Sequence, residues 1–321
     1  DLAMVTRQLA TLMESGIPLR EAIGALIEQV EDQNMQNAFR AIREKITSGK
    51  SFANALVDHP IYFDKLYISM VNAGEAAGNL DVVLQKLADY LQAKTRMKGK
   101  VSAALAYPMV MMFIGAAVVL FLMTFVVPKI QSVFEAQEKA LPLPTQILVA
   151  MSNFCVNWWW AIILVFFGMV IAFRIAAKKP WGKRILDRTK LTMPVLGMLF
   201  KKQAVSRFAI TFSTLLQSGL PALQSLKIVR DIVDNVLMAE TLEEVQKTIV
   251  EGGELATPLR KSKVFPTVVG YMISVGEKTG KMDIILKKIA EVYDEEIEMT
   301  TQKVTSILEP LMIVALAVIV G

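Results

Sequence analysis

Between Lys100 and Lys129 the chain carries no charged residue, and between Lys139 and Arg174 it again carries none. Each gap exceeds the roughly 20 apolar residues a helix needs to cross a bilayer. The pattern places one span near Leu105 to Val127 and a second near Asn153 to Phe173. A third apolar run, Leu311 to Val320, is half a span long before the sequence stops, and the first residue is not Met. Both ends are therefore expected to be clipped. The chain is 54% hydrophobic but still 20% charged, which predicts large aqueous domains attached to the spans.

Orientation follows from Lys and Arg, which stay in loops on the cytoplasmic side. Lys94, Arg96, Lys98 and Lys100 precede the first span, and Arg174, Lys178, Lys179 and Lys183 follow the second. The connecting loop holds only Lys129 and Lys139, against Glu135 and Glu138. The expected division is a cytoplasmic helical domain over 1–100, a span over 101–128 and a short periplasmic loop over 129–152. A second span over 153–175, a basic juxtamembrane linker over 176–203 and a second cytoplasmic helical domain over 204–306 follow. Residues 307–321 begin the third span. The net charge of +5 gathers beside the membrane, where anionic lipid headgroups account for it. No basic stripe interleaved with aromatics marks a nucleic-acid surface. Trp158, Trp159 and Trp160 stand at the outer start of span two, as an interfacial anchor or as a carbohydrate or aromatic-cage site.

The aqueous parts are two versions of one sequence. Gly16, Pro18, Gly49, Ala53 and Leu56 recur 203 residues later as Gly219, Pro221, Gly252, Ala256 and Leu259. Met70, Gly74, Glu75, Gly78, Asp81, Leu84 and Pro108 recur 202 residues later as Met272, Gly276, Glu277, Gly280, Asp283, Leu286 and Pro310. Solenoid repeats run to about 20–50 residues, so this period means a duplicated domain. Two spans between equivalent points restore the original side, which makes the copies parallel rather than inverted repeats.

Each copy reads as helical. Leu84, Leu87, Ala88 and Leu91 fall at i, i+3, i+4 and i+7, and Leu286, Ile289, Ala290 and Tyr293 repeat the stripe. Gly16–Pro18 and Gly219–Pro221 punctuate two helices each, with Gly ending one and Pro opening the next. No alternating β-branched run with hairpin turns appears. The fold class is all-α: two homologous helical bundles with three transmembrane helices, the third truncated. The most distinctive shared element is G-E-x-x-G-x-[LM]-D, at Gly74–Asp81 and Gly276–Asp283. It lacks the G-K-[ST] ending of a phosphate loop, and no strand precedes it. It predicts a tight turn between helices, with Asp81 and Asp283 capping the next helix and Glu75 and Glu277 bonding backbone within the turn. A docking surface is the second reading.

Catalytic chemistry is sparse. The chain has one His and one Cys, which excludes internal disulfides and every multi-Cys or multi-His metal site. His59 reads as a solvated loop residue, and Cys155 lies at the outer edge of span two, so a Cys–His dyad would be split by the membrane. Neither span holds an Asp or Glu for proton relay. The chain reads as a non-enzyme. An oligomeric channel or transporter is the reading from a different class.

The doubled octet, the G-[IL]-P turns, Thr6–Leu12 (T-R-Q-L-A-T-L), Val126–Lys129 (V-V-P-K) and Ala140–Thr145 (A-L-P-L-P-T) together resemble one family over essentially the whole chain. It is the type II secretion system inner-membrane platform protein F (GspF), of the GspF/PilC family, with the last two stretches favouring the secretion branch over a PilC-like type IV pilus platform. The resemblance implies a multi-pass scaffold in the bacterial inner membrane that couples a cytoplasmic secretion ATPase to pseudopilus assembly. Its implied partners are that ATPase, the other inner-membrane platform subunits, pseudopilins, membrane lipids and further copies of itself. It also implies a calcium site in domain one, at Glu31, Gln85 and Asp89. Gln85 and Asp89 are four apart and share a helical face, and Gln can offer a carbonyl oxygen to calcium. The competing reading makes all three solvated surface residues. The second copy has Asp234, Lys287 and Glu291 there, and the Lys287 cation excludes a second site.

Overall fold

The computed structural model describes residues 2–129, 132, 143–193 and 196–320, and among them there is no strand. The first repeat runs through α1 (Leu2–Glu14), α2 (Leu19–Gln29), α3 (Gln33–Thr47), α4 (Phe52–Leu56), α5 (Lys65–Ala77) and α6 (Leu80–Phe121). A π turn over Leu122–Val126 closes α6. After α7 (Leu143–Lys178) and α8 (Pro180–Thr192), the second repeat follows as α9 (Leu196–Gln217), α10 (Ala222–Ile232), α11 (Val236–Val250), α12 (Ala256–Lys261), α13 (Thr267–Thr279) and α14 (Met282–Val320). The order α1 to α6 is thus repeated by α9 to α14.

Local chemistry explains the punctuation. Asp32 accepts from the Asn34 and Met35 amides at the start of α3, and Asp64 accepts from the Tyr67 amide at the start of α5. Side-chain oxygens at that position satisfy amides that have no partner inside the helix. Pro18 and Pro221 precede α2 and α10 by one position, with φ near −57°, which presets the helix entrance.

The chain divides into two compact units. One comprises the residues up to Lys100 together with Asp187–Glu298, and so contains both repeats. Their buried side chains form one continuous core. Equivalent positions hold equivalent places in it: Val5 and Phe208, Leu9 and Phe212, Phe63 and Phe265. Phe63 packs edge-on to Tyr67 with ring centroids 4.9 Å apart, and Phe265 meets Phe208 at 5.0 Å. Such aromatic pairs add about 0.5–1.5 kcal/mol beyond their buried area.

The other unit comprises Val101–Leu186 and the chain from Met299 onward. Its surface is apolar: Met109, Phe113, Phe121, Phe125, Phe167 and Phe173 are all exposed, the inverse of an aqueous domain. Among the described residues, one helix is long and apolar enough to cross a membrane, running from Leu80 to Lys129 through the π turn. α7 bends at Trp158, whose φ of −115° and ψ of 18° leave helical geometry. There the Trp158 ring stacks on Phe154 at 6.3 Å and on Trp160 at 6.0 Å.

Several expected boundaries differ from the observed elements. Residues 130, 131 and 133–142 of the expected loop lie outside the described residues, while α7 already begins at Leu143 within that loop. α6 and α14 run unbroken through the limits expected near 100 and 306, and through Pro108 and Pro310. The stretch 176–203, expected as a linker, is largely helical: it holds the end of α7, all of α8 and the start of α9. It is also anchored. Asp187 on α8 is buried and accepts from the Val236 amide at 2.9 Å, so its carboxylate caps α11.

Candidate functional site

The repeated octet is a junction of three helices. α5 ends at Ala77, and Gly78 turns the chain in a left-handed conformation with φ of +71°; Gly280 does the same after α13 with φ of +67°. A side chain is strained there, so glycine is selected. Four residues earlier, a Cβ on Gly74 would stand 3.0 Å from the Val83 side chain and 3.2 Å from the Leu80 backbone. A Cβ on Gly276 would stand 3.1 Å from the Met282 backbone. The first glycine lets the two helices close together, and the second lets the chain reverse.

Glu75 works elsewhere than its own turn. Its carboxylate accepts from the amides of Phe52 at 2.6 Å and Ala53 at 2.8 Å, the first residues of α4. Ser51 accepts from the next free amide, Asn54, at 3.2 Å. Glu277 repeats the arrangement on Leu255 at 2.8 Å and Ala256 at 3.4 Å. The expectation of bonding within the turn is thus corrected: the glutamate reaches a helix start more than twenty residues upstream. A carboxylate at exposed helix amides is favoured by charge-assisted bonding and by the helix dipole. Asp81 and Asp283 sit in the first turns of α6 and α14, near the helix starts where the sequence places them.

The two repeats meet along a polar seam inside their unit. The Lys65 ammonium on α5 lies 3.0 Å from Asp231 on α10. Lys86 on α6 donates to the Gln217 carbonyl at the end of α9, and Lys100 pairs with Glu298. The ammonium of Lys86 is held below its ordinary pKa by burial, with Asp283 opposing the shift. Arg230 and Lys65 hold the Asp231 carboxyl below the usual carboxylate range. Asp64, Tyr90, Lys94 and Arg207 complete a shallow cleft beside the Lys65–Asp231 pair. None of these seam residues is singled out by motif. The usable signal is that repeat-equivalent positions differ, as with Lys65 against Thr267 and Asp231 against Glu28.

The residues expected to bind calcium are placed apart in role. Gln85 and Asp89 lie one turn apart on α6, and Glu31 is exposed in the turn between α2 and α3. Arg7 on α1 already pairs with the Asp89 carboxylate and donates to the Gln92 carbonyl at 3.0 Å. Calcium takes six to eight oxygen ligands, and a guanidinium on the principal carboxylate repels it. As arranged, the set does not fit calcium. Among the described residues, no group of three or more His, Cys, Asp or Glu side chains is gathered to hold a metal.

His59 differs from its sequence reading. It is half-buried rather than solvated, and its Nε2 is buried without a hydrogen-bond partner. Burial and the nearby Lys45 push its pKa down, while Asp58 opposes them. The Cys155 side chain lies outside the described residues.

The duplicated architecture is matched by known proteins. The profile of the family described as type II secretion system (T2SS), protein F, matches residues 5–128 and again 208–321, one match per repeat. The type IV pilus assembly protein PilC of Myxococcus xanthus is 35% identical over 321 residues, covering 100% of this chain and 77% of its own length. PilC of Thermus thermophilus is 35% identical over 322 residues, covering 100% of this chain and 79% of its own. The type II secretion system protein F of Vibrio cholerae is 34% identical over 317 residues, covering 99% of this chain and 78% of its own. Two capped repeats, each leading into a long helix, and full-length similarity to both groups place this chain in the type II secretion system protein F family.

Proposed function

We propose that this chain is a platform protein of the bacterial inner membrane that supports assembly of a pilus-like fibre, in type II secretion or in type IV pilus formation. The observation that carries the reading is the family match to both repeats, joined to helices that run from each repeat into apolar sequence. Identities of 35% to pilus proteins and 34% to a secretion protein leave the two machines equally close. The V-V-P-K and A-L-P-L-P-T stretches favour secretion. Deletion and complementation in the native host decide it: loss of exoprotein export with intact pili is expected for secretion, and loss of pili with normal export for the pilus system. Normal export and normal pili after deletion would refute both.

In this reading both repeats face the cytoplasm and three spans hold them at the membrane. The charge distribution supports that orientation, with Lys94 to Lys100 and Arg174 to Lys190 on the inner side. The repeats engage the assembly ATPase and the other platform subunits, and the scaffold does no covalent chemistry. In a Cys155→Ser background, a membrane-impermeant maleimide is expected to label Lys139→Cys in intact spheroplasts and to label Glu28→Cys only after lysis. The reverse pattern would invert the topology. Ion flux through reconstituted protein would favour the channel reading instead.

A further inference from the structure

The contact between the two repeats is one-sided. The first repeat contributes its α5/α6 face, with Lys65, Lys86 and Tyr90, and the second contributes chiefly its α9/α10 face, with Arg207, Gln217 and Asp231; farther along, Lys100 on α6 also pairs with Glu298 on α14. Were the contact two-fold symmetric, the α13/α14 face of the second repeat would meet α1/α2 of the first and be equally covered. It is not. Leu66 is 1% exposed whereas its equivalent Val268 is 55% exposed, and Tyr90 is 3% exposed whereas its equivalent Val292 is 37% exposed. Tyr271 and Val275 extend this open apolar surface. On the first repeat, Met4, the equivalent of Arg207, is 58% exposed, and Glu14 and Glu28, the equivalents of Gln217 and Asp231, are exposed as well.

The molecule therefore ends in the two unused halves of a contact that it already makes once. We propose that a second copy of this chain docks its α1/α2 face onto the α13/α14 face, repeating the internal seam between chains head to tail. Charge supports the register. Lys86 donates to the Gln217 backbone carbonyl within the field of Asp283; the equivalent positions are Lys288, Glu14 and Asp81, which keep the lysine, the backbone acceptor and the aspartate. Lys288 is exposed and pairs with the surface carboxylate of Glu291 at 3.4 Å. The open apolar patch lies where the covered one lies in the first repeat, and exposed patches of this kind mark interaction sites.

A head-to-tail contact continues until it closes into a ring or runs on as a filament. Resting here on the membrane reading above, copies that share one bilayer are related by rotation about its normal without translation. Successive contacts then stay in the membrane plane and form a ring where that rotation closes.

The test uses the full-length chain in native membranes in a Cys155→Ser background with a short bis-maleimide. Lys65→Cys with Asp231→Cys marks the internal seam and is expected to cross-link within one chain. Glu28→Cys with Thr267→Cys marks the equivalent positions across chains and is expected to yield a ladder of dimers, trimers and higher species. Neither single variant gives a ladder. Adding Tyr271→Asp is expected to remove the ladder while the internal cross-link persists, which separates lost docking from lost folding. Dimers formed by Thr267→Cys alone would show a two-fold contact and overturn the proposal. So would an internal cross-link without a ladder, or cross-linking of Thr267→Cys to a different protein. A failure of the secretion or pilus assignment would leave these patterns unchanged.

Discussion

Glu75→Gln tests whether the repeated glutamate holds a distant helix start. Both of its oxygens accept strong bonds, from Phe52 at 2.6 Å and Ala53 at 2.8 Å. An amide keeps one acceptor and turns an NH2 toward the other amide, so either orientation sets two donors face to face. Losing one bond to a charged group costs about 1.5–3 kcal/mol, and leaving a shielded N–H without a partner costs about 1–3 kcal/mol. These losses overlap, and we take ~2–3 kcal/mol for local opening of α4. At 1.36 kcal/mol per tenfold, amide exchange at Phe52 and Ala53 should speed up about 30- to 150-fold if opening of this turn governs exchange.

Glu277→Gln supplies the internal comparison. Its bond to Leu255 is 2.8 Å and its bond to Ala256 is 3.4 Å, so the amide can keep the short one and give up the long one. The expected cost is ~1 kcal/mol, the size of an ordinary hydrogen bond, or about fivefold in exchange. Hydrogen exchange by mass spectrometry on the detergent-solubilised protein, over peptides at 51–57 and 254–261, reads both. Equal effects in the two repeats would refute the reasoning, and so would faster exchange confined to Gly74–Asp81, which would return the glutamate to its own turn.

Gly74→Ala drives a Cβ to 3.0 Å from Val83 and is expected to cost about 1–3 kcal/mol through overpacking. Val83→Ala should recover part of that in the double variant, read by thermal melting, and strictly additive losses would count against the contact. His59 has a folded pKa held below its ordinary value, so above about pH 6.5 both states are neutral and it contributes no slope. Below that the unfolded chain takes the proton first, and stability should fall from about pH 6.5 down to the folded pKa; His59→Asn should flatten this segment of the melting curve against pH. Calcium can reach Asp89 only if Arg7 leaves it. Because Glu31, Gln85 and Asp89 are too few oxygens for calcium, Arg7→Ala is expected to show calorimetric calcium heats no larger than those of Arg7→Ala/Asp89→Ala, and heats present in the first and lost in the second would restore the three residues as a site.

The bundle was readable from sequence because it depends on local signals. Leu84, Leu87 and Ala88 declare the buried stripe of α6 by spacing, and Gly78 declares the end of α5 by the one conformation it alone accepts easily. The partner of Glu75 was not readable, because periodicity identifies the face of a helix and not what that face meets. Nothing in G-E-x-x-G names Phe52. The stretch 176–203 misled for a related reason. Its density of Lys and Arg suits a headgroup-facing linker, but Asp187 on α8 is buried as the cap of α11, a role visible only once the two elements are adjacent. Arg7 and Asp89 were each visible alone, but their pairing across α1 and α6 was not.

The octet persists in both repeats because its parts depend on contacts across different elements. Gly74 is fixed by Val83 packed against it, Glu75 by the start of α4 at Phe52, and Gly78 by the reversal into α6, so each position is held by a contact on another element. The outer faces carry no such constraint. Leu66 and Val268 occupy the same place in the fold, yet one is 1% and the other 55% exposed, because the one-sided seam covers only the first. A duplicated domain joined asymmetrically to its twin must keep one core and acquire two surfaces. Divergence at Lys65 and Thr267, or at Asp231 and Glu28, is therefore the expected residue of that geometry: the internal pair meets in the seam at 3.0 Å, while Glu28 has no place in that seam.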